Sequence, residues 1–212
     1  MTIAFTFPGQ GSQAVGMGKA LADAYPEARR VFEEVDDALG EKLSAIIFEG
    51  PIETLTLTQN AQPALMAVSL AATRVLATRG IGIERVAYVA GHSLGEYSAL
   101  AAAGSLTVAN AARLLRIRGR AMQEAVPVGQ GAMAALLGMD LDAAIAVAAD
   151  AAEGEVCDVA NDNGSGQVVV SGNKAAVERA IEIAKERGAR RAVLLPVSAP
   201  FQPACAPPMT PA

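Results

Sequence analysis

The stretch Val86-Ala87-Tyr88-Val89-Ala90-Gly91-His92-Ser93-Leu94-Gly95-Glu96-Tyr97 runs from an apolar, β-type segment through Gly-x-Ser-x-Gly into an Ala-rich segment of helical character. A strand that reverses sharply into a helix needs residues without side chains at the corner, and Gly91 and Gly95 supply them. The serine between them is then held on a strained turn with its hydroxyl outward, so Ser93 is the candidate nucleophile. The Leu94 N–H lies at the start of the following helix, where unpaired amides and the helix dipole favour an oxyanion. The competing reading is structural: the two glycines only permit close strand–helix packing and Ser93 is an ordinary turn residue.

Outward from this turn the chain reads as α/β. On its N-terminal side lie a short strand at Ile3–Phe7, a glycine loop, helical patterns interrupted at Pro26 and stopped near Gly40, a further helix, and a helix from Pro63 to Arg79 with Gly80 as its cap. On its C-terminal side the elbow helix runs to about Ala103, and a helix capped by Thr107 continues to about Val126 before Pro127. Past Gly129-Gln130-Gly131 the order becomes strand (Ala132–Leu137), helix (Leu141–Ala152), strand (Val156–Ala160), strand (Gln167–Ser171), helix (Lys174–Arg187) and strand (Arg191–Pro196). That β-α-β-β-α-β order is the order of a ferredoxin-like unit. The expected organisation is a large α/β domain over 1–127, a small ferredoxin-like domain over 128–198, and an irregular tail over 199–212, whose end from Phe201 holds four prolines.

Composition narrows the function classes. A 212-residue chain that is 52% apolar and 18% charged can bury a sizeable core. A net charge of −5 and the lack of a basic, aromatic-interleaved face argue against nucleic acid as a partner. The N-terminal Met1–Phe7 is too short for a signal h-region, and apolar stretches elsewhere are broken before they would span a bilayer, so no membrane partner is expected. Cys157 and Cys205 lack metal-ligand spacing and read as reduced thiols of a cytoplasmic protein, with no metal site.

Three further features carry chemistry. Helical rotation places Arg118 with the apolar face of Leu114, Leu115, Ala121, Met122 and Ala125, and sets Arg113, Arg116 and Arg120 on the far side. An inward guanidinium needs a carboxylate, from the protein as a structural ion pair or from a ligand as a bidentate clamp. The loop Pro8-Gly9-Gln10-Gly11-Ser12-Gln13-Ala14 loosely matches a dinucleotide fingerprint. However, Glu33 to Asp37 reads as helix where a second strand should end in an acidic residue, so the loop is better placed to bring a backbone N–H beside the elbow. His92, the chain's one histidine, points away from an elbow nucleophile and reads as an interior or supporting residue rather than the base. Since no histidine follows Ser93, a simple hydrolase triad fails on inventory.

Taken together, Phe7-Pro8-Gly9-Gln10-Gly11-Ser12-Gln13, Thr58-Gln59-Asn60-Ala61-Gln62-Pro63-Ala64-Leu65, Gly91-His92-Ser93-Leu94-Gly95-Glu96-Tyr97, Arg118-Gly119-Arg120-Ala121-Met122-Gln123 and Leu195-Pro196-Val197-Ser198-Ala199-Pro200-Phe201 closely resemble the bacterial malonyl-CoA:acyl carrier protein transacylases, in order over residues 1 to 201. The resemblance implies an α/β-hydrolase-like large domain carrying a ferredoxin-like small domain. It implies Ser93 as the acylated nucleophile, the N–H groups of Gln10 and Leu94 as the oxyanion hole, and Arg118 as the holder of the malonyl carboxylate. Malonyl-CoA and acyl carrier protein are the implied partners, no cofactor is needed because the CoA thioester is a substrate, and the protein is expected to act as a monomer in fatty-acid synthesis. Arg113, Arg116 and Arg120 form one candidate stripe for an acidic carrier protein, with a solvated helix face as the alternative.

The resemblance departs after Phe201. In the family that motif continues into the histidine that serves as the base, whereas here Gln202 follows. A glutamine amide cannot accept and return a proton near neutral pH, which is expected to cost about 10²–10⁴ in rate. The departure is read as a shifted reading frame or a truncated gene, leaving the large domain incomplete. The remaining alternatives are an acyltransferase of polyketide assembly and a non-catalytic remnant that binds carrier protein or CoA.

Overall fold

The computed structural model describes residues 2–127 and 129–197. The chain divides into two compact units, Met1–Arg120 and Ala121–Ala212. Its elements in order are β1 (Ile3–Phe7), α1 (Lys19–Ala24), α2 (Pro26–Leu39), α3 (Leu43–Glu49), α4 (Ile52–Thr56), α5 (Thr58–Thr78), β2 (Val86–Gly91), α6 (Gly95–Ala102), α7 (Val108–Ala125), β3 (Gly131–Leu137), α8 (Leu141–Ala152), β4 (Cys157–Asp162), β5 (Gln167–Asn173), α9 (Lys174–Glu186) and β6 (Arg191–Leu194). The architecture is mixed α/β. The Pro-rich tail, including Gln202 and Cys205, lies outside the described residues.

In the first unit β1 and β2 pair in parallel, with Phe7 opposite Gly91, so the two loops that leave their C-terminal ends emerge side by side. A parallel pair requires a long crossover, and five helices supply it. The core lies among those helices and α7: Val31, Phe32 and Val35 from α2, Leu43 and Ile47 from α3, Leu65, Met66 and Leu70 from α5, and Ala111, Ala112 and Leu115 from α7. Phe32 and Phe48 meet edge to face with centroids 4.9 Å apart. The sheet face carrying Ala4, Thr6, Tyr88 and Ala90 is open, and Tyr88 is 71% exposed.

One helix begins earlier than its sequence pattern indicates. Pro63 reads as a helix start, yet α5 begins at Thr58 and takes Pro63 inside it. Asn60 and Gln62 interrupt the apolar period, and both are buried, at 5% and 1% exposure. Polar residues are tolerated there because their amides are paired: Asn60 Nδ2 donates to the Thr54 carbonyl at 2.8 Å, and both side-chain carbonyls accept from arginines of α7.

The second unit is an antiparallel four-stranded sheet in the order β4-β5-β3-β6. Ala132, Ala134 and Leu136 of β3 and Val168 and Val170 of β5 alternate onto one face and pack under α8 and α9. Both helices present alanine at four-residue spacing, Ala144 and Ala148 on α8 and Ala176, Ala180 and Ala184 on α9, so they approach each other and the sheet closely. Asp140 caps α8 by accepting from the Ala143 N–H at 2.8 Å. Asp140→Ala is expected to lower stability by about 1 kcal/mol, seen as a lower midpoint in urea with an unchanged slope.

Candidate active site

The elbow follows from local geometry. β2 ends at Gly91, the His92 N–H continues the ladder by donating to the Phe7 carbonyl at 3.0 Å, and Ser93 turns the chain with φ at 55°. That left-handed conformation is costly for a residue with a side chain and marks a site where backbone strain is retained. Tight turns follow at once, with Gly95 N–H donating to the His92 carbonyl at 2.9 Å and Glu96 N–H to the Ser93 carbonyl at 3.1 Å. Contacts at the two glycines are closer than any side chain permits. A methyl group on Gly91 would lie 2.0 Å from the Gly95 carbonyl, and one on Gly95 would lie 2.3 Å from the Phe7 carbonyl oxygen.

The β1 loop comes up against this turn. A methyl group on Gly9 would meet His92 Nδ1 at 2.6 Å, so the loop leading to Gln10 lies against the residue before Ser93. Among the described residues neither the Gln10 N–H nor the Leu94 N–H donates to a backbone acceptor. The Gln10 side chain reaches Thr58 Oγ1 at 3.4 Å, and its Oε1 is buried without a partner among the described residues. His92 is exposed rather than interior, a correction to its sequence reading: an open loop lies against its ring instead of core. Glu33 to Asp37 falls inside α2, so the second strand that a dinucleotide fold requires is not there.

Arg118 completes the arrangement. Its Nη2 donates to Ser93 Oγ at 3.0 Å and its Nη1 to Gln62 Oε1 at 2.8 Å. Burial pulls its pKa below the ordinary value, and electrostatic interactions with Tyr97 and Glu96 oppose that pull. Both neighbours touching the guanidinium are neutral, and among the described residues no carboxylate pairs with it.

The helical wheel needs one correction. The buried face of α7 is Val108, Ala111, Ala112, Leu115, Arg116 and Gly119, while Leu114 is 42% and Ile117 63% exposed. The inward arginine is therefore Arg116, at 6% exposure, and Arg118 sits half-buried at the edge of that face. The rotation differs because Arg116 finds a carboxylate in Glu41 and an amide in Asn60, which make its burial tolerable. The expected stripe of Arg113, Arg116 and Arg120 is reduced to two exposed residues, and Arg113 is committed to the Ala38 carbonyl. Gln62 was missed as a site residue. The signal was available in the polar positions of the run before Pro63, which a helix does not need unless something pairs with them.

Residues 4–204 match the acyl transferase domain family. The chain belongs to that family. Among its relatives, the malonyl CoA-acyl carrier protein transacylase of Bacillus subtilis (strain 168) is 53% identical over 200 residues, 94% of this chain and 62% of the relative. The crystal structure of acyl-carrier-protein-S-malonyltransferase from Bartonella henselae superposes with a TM-score of 0.88 at 61% identity, covering 97% of this chain and 66% of that one. A malonyl-transacylase in complex with a type II PKS acyl-carrier protein superposes with a TM-score of 0.88 at 45% identity, over 97% of this chain and 66% of that one. The chain thus spans just under two thirds of the length of these acyltransferases. Among the described residues no helix is long and apolar enough to cross a membrane.

Proposed function

We propose that this chain transfers a malonyl group from malonyl-CoA to the phosphopantetheine thiol of acyl carrier protein through a malonyl ester on Ser93. In the first half-reaction Ser93 Oγ bonds to the thioester carbonyl carbon, the C–S bond breaks, and the serine proton leaves with the CoA thiolate. In the second, the carrier thiol sulfur bonds to the ester carbonyl carbon, the C–Oγ bond breaks, and the thiol proton passes to Ser93 Oγ. The Gln10 and Leu94 N–H groups receive the oxyanion in both. The observation that carries this reading is Arg118, a guanidinium whose hydrogen-bond partners Gln62 and Ser93 are both neutral, 3.0 Å from the nucleophile, where a carboxylate two bonds beyond the thioester carbonyl would pair with it. An acetyl group would leave it unpaired, which is the source of selectivity.

On the same reading no cofactor is required, the first unit is the α/β-hydrolase-like domain, and the second, with its β4-β5-β3-β6 order, is the ferredoxin-like one. The domain limits of 127 and 198, action as a monomer and a cytoplasmic setting belong to it as well. With Gln202 at the position where the family has its base, acylation is expected to be slow, by about 10²–10⁴. The test is the intact mass of the chain after long incubation with malonyl-CoA, beside acetyl-CoA. A single malonyl adduct is expected, absent in Ser93→Ala, with an acetyl adduct forming far more slowly from acetyl-CoA. An adduct that persists in Ser93→Ala, or a folded chain that never acquires one, overturns the proposal.

A further inference from the structure

Arg116 touches neither Ser93 nor any group assigned to the reaction, yet it is the most enclosed cation of the first unit. Its guanidinium joins three elements: it sits on α7, donates to Asn60 Oδ1 of α5, and pairs with Glu41 in the turn between α2 and α3. Asn60 is itself oriented, its Nδ2 donating to the Thr54 carbonyl at 2.8 Å, so its carbonyl oxygen has one direction to face. Two residues further along each helix the pattern repeats, with Arg118 donating to Gln62 at 2.8 Å. Next to both arginines the helix backbones come into direct contact. A methyl group on Gly119 would stand 2.6 Å from Gln59 Cα and 2.7 Å from the Thr58 carbonyl oxygen.

Two arginine–amide pairs, with a glycine contact beside them, fix the point at which α7 crosses the first turns of α5. Displacing α7 there would break the pairs and force a side chain into the space at Gly119. The fork of Arg116 is planar and bonds two partners at once, so it resists rotation of α7 as well as sliding.

We propose that Arg116 is a positioning residue, locking α7 through Asn60 and Glu41 in the placement that presents Arg118 to Ser93 and thereby to the acyl carboxylate. The inference rests on the acyl-transfer reading for its effect on selectivity, but the lock is testable without it. Arg116→Met keeps the volume, and the Glu41 it releases is partly exposed, so the variant is expected to fold.

Two readouts are taken on the full chain. The first is Ser93 acylation by malonyl-CoA and acetyl-CoA across a range of concentrations. The second is the rate at which phenylglyoxal modifies Arg118, mapped by peptide mass. In Arg116→Met the half-saturating malonyl-CoA concentration should rise about tenfold while the maximal rate and the acetyl-CoA rate stay close to the parent's. Arg118 should become modified severalfold faster. Glu41→Gln, which keeps the shape and removes one charge, should move both readouts in the same direction by less, and it decides the matter if Arg116→Met does not fold. A folded variant with both readouts within about twofold of the parent overturns the proposal. If the parent chain forms no ester with either thioester, the transfer reading fails and the Arg118 modification rate alone decides the lock.

Discussion

Arg118→Met is expected to lower the rate of Ser93 acylation by malonyl-CoA about 10²-fold and to leave acylation by acetyl-CoA unchanged or faster. The parent guanidinium stands 3.0 Å from Ser93 Oγ with Gln62 fixing its other nitrogen, so a bound malonyl carboxylate would find a charge already oriented toward it. Hydrogen bonds to a charged partner are typically worth about 1.5–3 kcal/mol, and each ~1.4 kcal/mol is a factor of ten. Methionine keeps the stem and loses every donor. The acetyl arm does not fall with it because an acetyl group brings no carboxylate to the guanidinium in the parent, so the variant loses nothing there and removes the cost of a charge left without one. Arg118 is half-buried and outside the hydrophobic core, so the thermal midpoint should shift little. A folded variant that still prefers malonyl-CoA by the parent's ratio would remove Arg118 from substrate selection.

Gly91→Ala should be the most destabilising single-methyl change in the elbow. The added carbon would stand 2.0 Å from the Gly95 carbonyl group and 2.2 Å from the Glu96 N atom, and all of these are backbone atoms. No rotamer change relieves such a contact, so α6 must move away from β2. Overpacking usually costs about 1–3 kcal/mol, and with rigid backbone on both sides the upper end or more is expected. For a chain of this size that corresponds to a fall of about 10 °C in the thermal midpoint. Function should fail before the fold does, because displacing the start of α6 displaces the Leu94 N–H and alters the strained φ of Ser93, 55° in the parent. Measured below the midpoint, the variant should retain helical circular dichroism and lose the malonyl adduct. Normal acylation in Gly91→Ala would show that the tight strand–helix contact is not needed to present the serine.

Much of this architecture was legible in the sequence because the signals are local. The elbow is a five-residue pattern in which Gly91 answers to Gly95 and Glu96 a few residues on, while Gly95 also makes room for the Phe7 carbonyl of the neighbouring strand. The limits of α8 and β1 were readable from a helical run at Leu141–Ala152 and a short apolar run at Ile3–Phe7, and the Thr107 cap from one hydroxyl, which accepts from the Asn110 N–H at 3.1 Å. The alternation of strands and helices past Gly131 needed only periodicity. By contrast, the start of α5 was misplaced because Pro63 is a local start signal, whereas the polar residues before it are paired by a helix more than fifty positions away.

The sequence by itself determined the order of strands and helices, except that one helix was read where α3 and α4 stand and α5 was begun too late, and it singled out the candidate nucleophile. Only the tertiary structure decided which arginine of α7 is buried and which faces Ser93. Both share one helix and an apolar neighbourhood in sequence, and periodicity assigns a face from the helix alone. A buried guanidinium goes where its partners are, and those partners, Glu41 and Asn60, come from distant segments that only folding brings together.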